Sequence, residues 1–129
     1  MINELAKMAH ENAKSKGFFD DERNIGEMLC LIHSEVSEAL EADRKGNYCK
    51  SLAFLPKKED LGGNSVRTID QHWKTSFEMK VKDTFEDELA DIMIRVMNLA
   101  EFKGIDLESH IKAKMRYNSL RERKHGKKY

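Results

Sequence analysis

The chain has 129 residues, 40% of them hydrophobic and 36% charged, which supplies one core beneath a heavily ionised surface. Lysine plus arginine and aspartate plus glutamate each number 23, so the formal net charge is zero and excludes a global attraction toward nucleic acid or anionic lipid. Met1-Ile2-Asn3-Glu4 begins no signal-length apolar core, no run approaches a membrane span, and Cys30 and Cys49 form no metal or redox motif. The expectation is one cytoplasmic domain over residues 1–129 that enters no membrane.

The first helix is expected from about Asn3 to Ser15, ending at Lys16-Gly17, a basic residue followed by the residue best able to leave a helix. The second runs from about Glu22 to Arg44 and stops at Lys45-Gly46 for the same reason. Residues 47–82 have weak periodicity, Pro56 and Gly62-Gly63, and read as a long loop with a short helix around Ile69 to Met79. The third main helix begins near Asp83-Thr84, where Asp87 completes an imperfect capping box, and continues to Phe102-Lys103-Gly104. The fourth starts at Asp106, placed to cap the amides of Glu108 or Ser109, and runs to about Leu120. From Arg121 the chain reads as an extended basic tail. The fold class is all-α, a four-helix bundle-like unit with a long loop between its second and third helices.

Glu35 and Glu38 on the second helix, and Glu88 and Asp91 on the third, are spaced i, i+3, so each pair projects from one helix face. A solvated face is the ordinary reading of such acids. On the helical wheel, however, Glu35 falls among Met28, Leu31 and Ala42 inside the apolar arc, with Glu38 at its edge. An ionised glutamate among core residues wants a cation or a proton. On the third helix, apolar residues cover most of the circumference and leave a narrow strip of Glu88, Asp91, Arg95 and Asn98. That distribution predicts burial on several sides. Packed antiparallel, the two helices bring four carboxylates together, a concentration of charge that calls for divalent metal. Oxygen-only donors select Mg²⁺, with Mn²⁺ as the alternative. A di-iron bundle needs Glu-x-x-His on core helices, and here that spacing occurs only at Glu122 and His125 in the tail.

The stretches Gly26-Glu27-Met28-Leu29-Cys30-Leu31-Ile32-His33-Ser34-Glu35-Val36-Ser37-Glu38-Ala39-Leu40-Glu41 and Phe85-Glu86-Asp87-Glu88-Leu89-Ala90-Asp91-Ile92-Met93-Ile94-Arg95-Val96 resemble the all-α NTP pyrophosphohydrolases, and among them the small MazG-like proteins. Lys114-Met115-Arg116-Tyr117-Asn118, followed by Arg121 and His125-Gly126-Lys127, is similar to the end of many members. The resemblance covers all but residues 47–82. It implies a Mg²⁺-dependent hydrolase that cuts nucleoside or deoxynucleoside triphosphates between the α- and β-phosphates, giving monophosphate and pyrophosphate. It implies Glu35, Glu38, Glu88 and Asp91 as metal ligands, with Glu38 or Glu35 accepting the proton of the attacking water.

Lys114, Asn118, Arg121, Lys124, His125 and Lys127 are candidates for holding the triphosphate, Arg121 being suited to a bidentate grip. A solvated basic tail is their structural alternative. Asn98 shares the strip with Asp91 and is a further candidate contact; Arg95 is read equally as a structural ion pair. Trp73 is placed either to stack on a base or, more readily, to cover the core as part of a lid. Because a single protomer has a thin core, the wide apolar surface of the third helix predicts a homodimer or homotetramer. The rival class is a non-enzymatic helical oligomer that binds RNA or a partner through its basic C-terminus; the enzyme reading expects no specific nucleic acid.

Overall fold

The computed structural model describes residues 1–57 and 66–128, and among these no strand occurs. The helices are α1 (Ile2–Ser15), α2 (Ile25–Arg44), α3 (Val66–Lys80), α4 (Phe85–Phe102) and α5 (Leu107–Ser119), with a 3₁₀ turn at Arg123–Gly126. The all-α expectation holds among the described residues, where the four main helices and the short one read within the loop are all present. The supposed loop carries α3, which extends past both ends of the short helix read at Ile69 to Met79. Its polar, weakly periodic sequence hides it from a search for an apolar stripe. Gly62 and Gly63 lie outside the described residues. The expected extended tail is instead interrupted by the 3₁₀ turn.

The stop signals act as the sequence suggests. Gly46 and Gly104 adopt φ of 66° and 65°, the left-handed conformation that lets the following amide turn back onto the helix. Asn47 N then donates to Ala42 O at 2.9 Å, and Ile105 N to Ala100 O at 2.8 Å. No described helix is long and apolar enough to cross a membrane.

The chain divides into two compact units, one of residues 1–28 and 94–129 and the other of residues 29–93; α2 and α4 contribute to both. In the first unit α1 is tied to the start of α5. Asn3 Nδ2 donates to Asp106 Oδ1 at 2.8 Å, while Glu108 N donates to Asn3 Oδ1 at 3.1 Å. Asp106 caps α5 by accepting from Ser109 N at 3.1 Å, which chooses between the two amides the sequence allowed. Glu108 also accepts from Lys112 Nζ and from the Met1 amine, at 2.8 and 2.9 Å. These donors favour the ionised forms. Hydrogen bonds from Asn3 and Ser109 hold Asp106 down to about 2, and those from Lys112, the Met1 amine and Asn3 do the same for Glu108.

In the second unit, Asn47 fastens the end of α2 to the start of α4. Its side chain donates to Asp83 O at 2.7 Å and its carbonyl accepts from Phe85 N at 2.9 Å. Cys49 N donates to Glu86 Oε2 at 2.8 Å, and the Tyr48 and Phe85 rings lie 5.2 Å apart. Tyr48 also donates its hydroxyl to Asp43, and this bond is the main reason its pKa is raised. Thr84 Oγ1 accepts from Asp87 N at 3.4 Å, while the Asp87 carboxylate accepts from Asp83 N at 3.0 Å. The imperfect capping box is therefore present, reaching back one residue further than the standard form.

Candidate metal centre

Along α2, Met28, Glu35, Ala39 and Ala42 are buried, a set spaced by seven, four and three residues that forms one stripe. Glu35, with 6% of its surface exposed, occupies the core position that the wheel assigned to it. Leu31, placed by the wheel in the same arc, is 36% exposed. Glu38 is exposed, as its place at the edge of the arc suggests. On α4, Glu88 is also 6% exposed, and Asp91, one turn on, is half-buried.

Glu35, Glu88 and Asp91 each present one carboxylate oxygen such that the three atoms lie within 4.8 Å of one another. All three residues belong to the second unit. The fourth expected ligand, Glu38, is outside this triple but shares with Glu88 the lining of an adjoining cavity of about 420 Å³. Lys45 and Asn47 also line that cavity, and Lys45 pairs with Glu41 at 3.4 Å.

The electrostatics follow from the geometry. Burial is the first cause that lifts Glu88 from 4.5 to about 7; the charges of Glu38, Glu35 and Asp91 push in the same direction. A carboxyl so placed retains a proton near neutrality unless a cation replaces it. The donor set is oxygen-only and anionic, with two members more than nine-tenths buried, a composition suited to a hard divalent ion.

Lys114, Asn118, Arg121, Lys124 and Lys127 belong to the first unit, as does the backbone of His125, whose side chain lies outside the described residues. Lys114 Nζ and Arg121 Cζ sit over the Tyr117 ring at 4.9 and 5.5 Å from its centroid. Asn118 Oδ1 is buried without a hydrogen-bond partner among the described residues. Trp73, on α3, stacks against Phe77 of the same helix at 5.2 Å and is 41% exposed.

Asn98 Oδ1 lies 2.8 Å from His10 Nδ1 and so orients an imidazole. The sequence reading missed the surroundings of this pair. The His10 ring meets Phe19 edge-on at 4.6 Å, Phe19 lies 5.3 Å from Phe102, and the Arg23 guanidinium sits 5.6 Å over the Phe19 ring. These residues line a second cavity, of about 400 Å³, in the first unit. Phe19 and Arg23 lie between helices, where no periodicity marks them.

On α4, Leu89, Met93 and Ile94 are 44%, 43% and 44% exposed in the single chain, short of the burial on several sides expected from the wheel. Fold and site together define an all-helical protein with a half-enclosed carboxylate cluster. Protein-family models, curated proteins and solved structures contain no match to the chain.

Proposed function

We propose that the chain is a Mg²⁺-dependent pyrophosphohydrolase of nucleoside or deoxynucleoside triphosphates, of the MazG-like kind. The observation that carries the proposal is the convergence of Glu35, Glu88 and Asp91, two of them buried, on one point. A structural role accounts poorly for two buried acids beside a third, since each raises the cost of ionising the others. Glu35, Glu88 and Asp91 are the residues to hold the ion, with Glu38 at the open edge.

The chemistry Mg²⁺ supplies when bound is neutralisation of phosphate oxygens and acidification of water. The protein's own part is to fix the donors and to take a proton. Glu38, exposed and outside the triple, is the better placed of the two candidate bases, because it stands open to solvent beside the cavity it lines with Glu88. Lys114, Arg121, Lys124 and Lys127 supply positive charge for a polyphosphate; Arg121 offers a planar fork of donors. The exposed apolar side chains Leu29, Val36 and Leu40 on α2, together with those of α4, support a homodimer or homotetramer.

The test is to incubate the protein with a panel of NTPs and dNTPs, with and without Mg²⁺, and to separate the products. Monophosphate and pyrophosphate formed only with the metal support the reading. Diphosphate and orthophosphate, or no turnover by folded protein, overturn it. The exposed Tyr117 flanked by Lys114 and Arg121 favours the second reading, RNA binding through the C-terminus, which predicts salt-sensitive polynucleotide binding that survives Asp91→Asn.

A further inference from the structure

The cavity beside the carboxylate triple is built wholly from residues of the second unit, and its walls are unevenly charged. Glu38, Glu41, Asp83 and Glu88 line it, and among the described lining residues Lys45 is the one cation. Its volume, about 420 Å³, lies within the range of small-molecule sites, roughly 300–1,000 Å³. The polyphosphate-holding residues named so far all belong to the first unit. Lys45 is a cation within the unit that carries the acids.

Helix geometry directs Lys45 to this cavity. It follows the last residue of α2 and keeps the helical bond, its amide donating to Glu41 O at 3.1 Å. Glu38, Ala42 and Lys45 succeed one another at four and three residues, so they share one face. Lys45 Nζ lies 3.4 Å from Oε1 of Glu41, itself a lining residue, which puts the ammonium at the cavity wall. Both side chains are more than half exposed, 68% and 53%, and a pair so open to water is held weakly enough to exchange partners. Asn47, by contrast, already donates its side-chain amide to Asp83 O at 2.7 Å. Glu41 stands about 9 Å beyond Glu35 along the helix axis. The ammonium and the buried acids therefore flank a space on the scale of a triphosphate, with Glu38 between them.

We propose that Lys45 binds the terminal phosphate of the substrate and holds the pyrophosphate that leaves, exchanging its ion pair with Glu41 for phosphate oxygens. The substrate in this proposal rests on the hydrolase reading; the cation, its placement and its loosely held partner do not. Cleavage leaves the pyrophosphate with more negative charge than the same phosphates carry within the triphosphate. An ammonium at that end gains attraction as the bond breaks.

Pyrophosphate binding tests this without turnover. Calorimetric titration of the whole protein in Mg²⁺ with pyrophosphate and, separately, with adenosine and uridine monophosphates compares wild type, Lys45→Met, Lys45→Arg and Glu41→Gln. Lys45→Met is expected to bind pyrophosphate about tenfold more weakly, the loss of one charge-assisted hydrogen bond, and the monophosphates as wild type does. Lys45→Arg is expected to keep most of the affinity, since a cation remains. Glu41→Gln, which frees the ammonium, is expected to bind pyrophosphate about twofold tighter, a gain that disappears when Lys45→Met is added. Mg²⁺ titrated alone is expected to bind Lys45→Met no more weakly than wild type; weaker binding overturns the phosphate contact, because the lysine then serves the acids instead. Equal pyrophosphate affinity in Lys45→Met, an equal loss for pyrophosphate and monophosphates, no gain in Glu41→Gln, or no pyrophosphate binding by wild type also overturns the proposal. Unchanged pyrophosphate binding in Lys45→Met beside intact hydrolysis by wild type removes this inference only. Lys45-dependent pyrophosphate binding without hydrolysis of any triphosphate removes the enzyme reading and leaves the contact.

Discussion

Glu35 of α2 and Glu88 of α4 are each only 6% exposed, yet they bring carboxylate oxygens within 4.8 Å of one another. Two buried like charges at that distance store unfavourable energy in the folded chain, and the proton on Glu88 is how the metal-free protein relieves it. The folded pKa of Glu88, about 7, lies above its ordinary 4.5, so between those values the folded state holds more protons than the unfolded one. Stability from this group is complete below pH 4.5 and declines as pH rises through 7. The loss is at most on the order of 3 kcal/mol. Denaturant melts in chelator from pH 5 to 8 are predicted to show this decline, and Glu88→Gln to flatten it.

Divalent metal reverses the sign of the same effect. Above pH 7, Mg²⁺ is predicted to raise the melting temperature of the wild type, since an ion bound only by the folded state adds RT ln(1 + [L]/Kd). Glu35→Gln and Asp91→Asn are predicted to melt higher than wild type in chelator, by about 1 kcal/mol from relieved repulsion, and to respond less to the metal. Variants that lose stability in chelator and keep the full Mg²⁺ response contradict a cation site.

At the tie between α1 and α5 the proton linkage runs the other way. Asp106 and Glu108 are depressed to about 2, so their contribution is present above the ordinary carboxylate range and disappears as pH falls toward 2. Asp106→Ala removes a helix cap and the bond to Asn3 and is predicted to lower stability at neutral pH. Near pH 2 the variant and wild type are predicted to converge; chemical denaturation at both pH values reads the difference.

How far the site was legible depends on which physical signal each residue carries. Glu35 could be read because a charged residue at an apolar helix position breaks a strong periodic pattern, and Glu88 and Asp91 because α4 leaves so narrow a polar strip. Phe19 and Arg23 had no such frame: their meeting depends on the path of the α1–α2 connection, beyond Gly17 at φ 83°. Asn47 was equally silent, since its role is two hydrogen bonds across the end of α2 and the start of α4. The helix ends were legible through Gly46, Gly104, Thr84 and Asp106, whose local chemistry needs no tertiary contact. The extent of α3 was not, because its residues around Trp73 bury little. The exposed side of α4 shows the limit of the wheel: apolar circumference predicts what must be covered, not what covers it.

Asn47 offers a test of how the α2–α4 pairing holds the acids. Asn47→Ala keeps the backbone bond to Phe85 but loses the side-chain bond to Asp83 O. The predicted cost is about 1 kcal/mol, measured by denaturant melts, with a larger fractional loss of metal response than of stability.

The apolar side chains left exposed along one side of α4 predict self-association. Sedimentation equilibrium is expected to give a mass above the 15.0 kDa of one chain. Leu89→Lys and Ile94→Lys are expected to shift that mass toward the monomer; a wild type that sediments at 15.0 kDa refutes the oligomer.

The most direct measurement of the central claim is product release by wild type, Glu38→Gln and Asp91→Asn on one accepted triphosphate at saturating Mg²⁺. The account predicts monophosphate and pyrophosphate in equal amounts from the wild type, and a fall of about a hundredfold or more in both variants with their folds intact. Undiminished turnover in Asp91→Asn contradicts it, because a reaction that ignores that carboxylate does not use the site the helices have built.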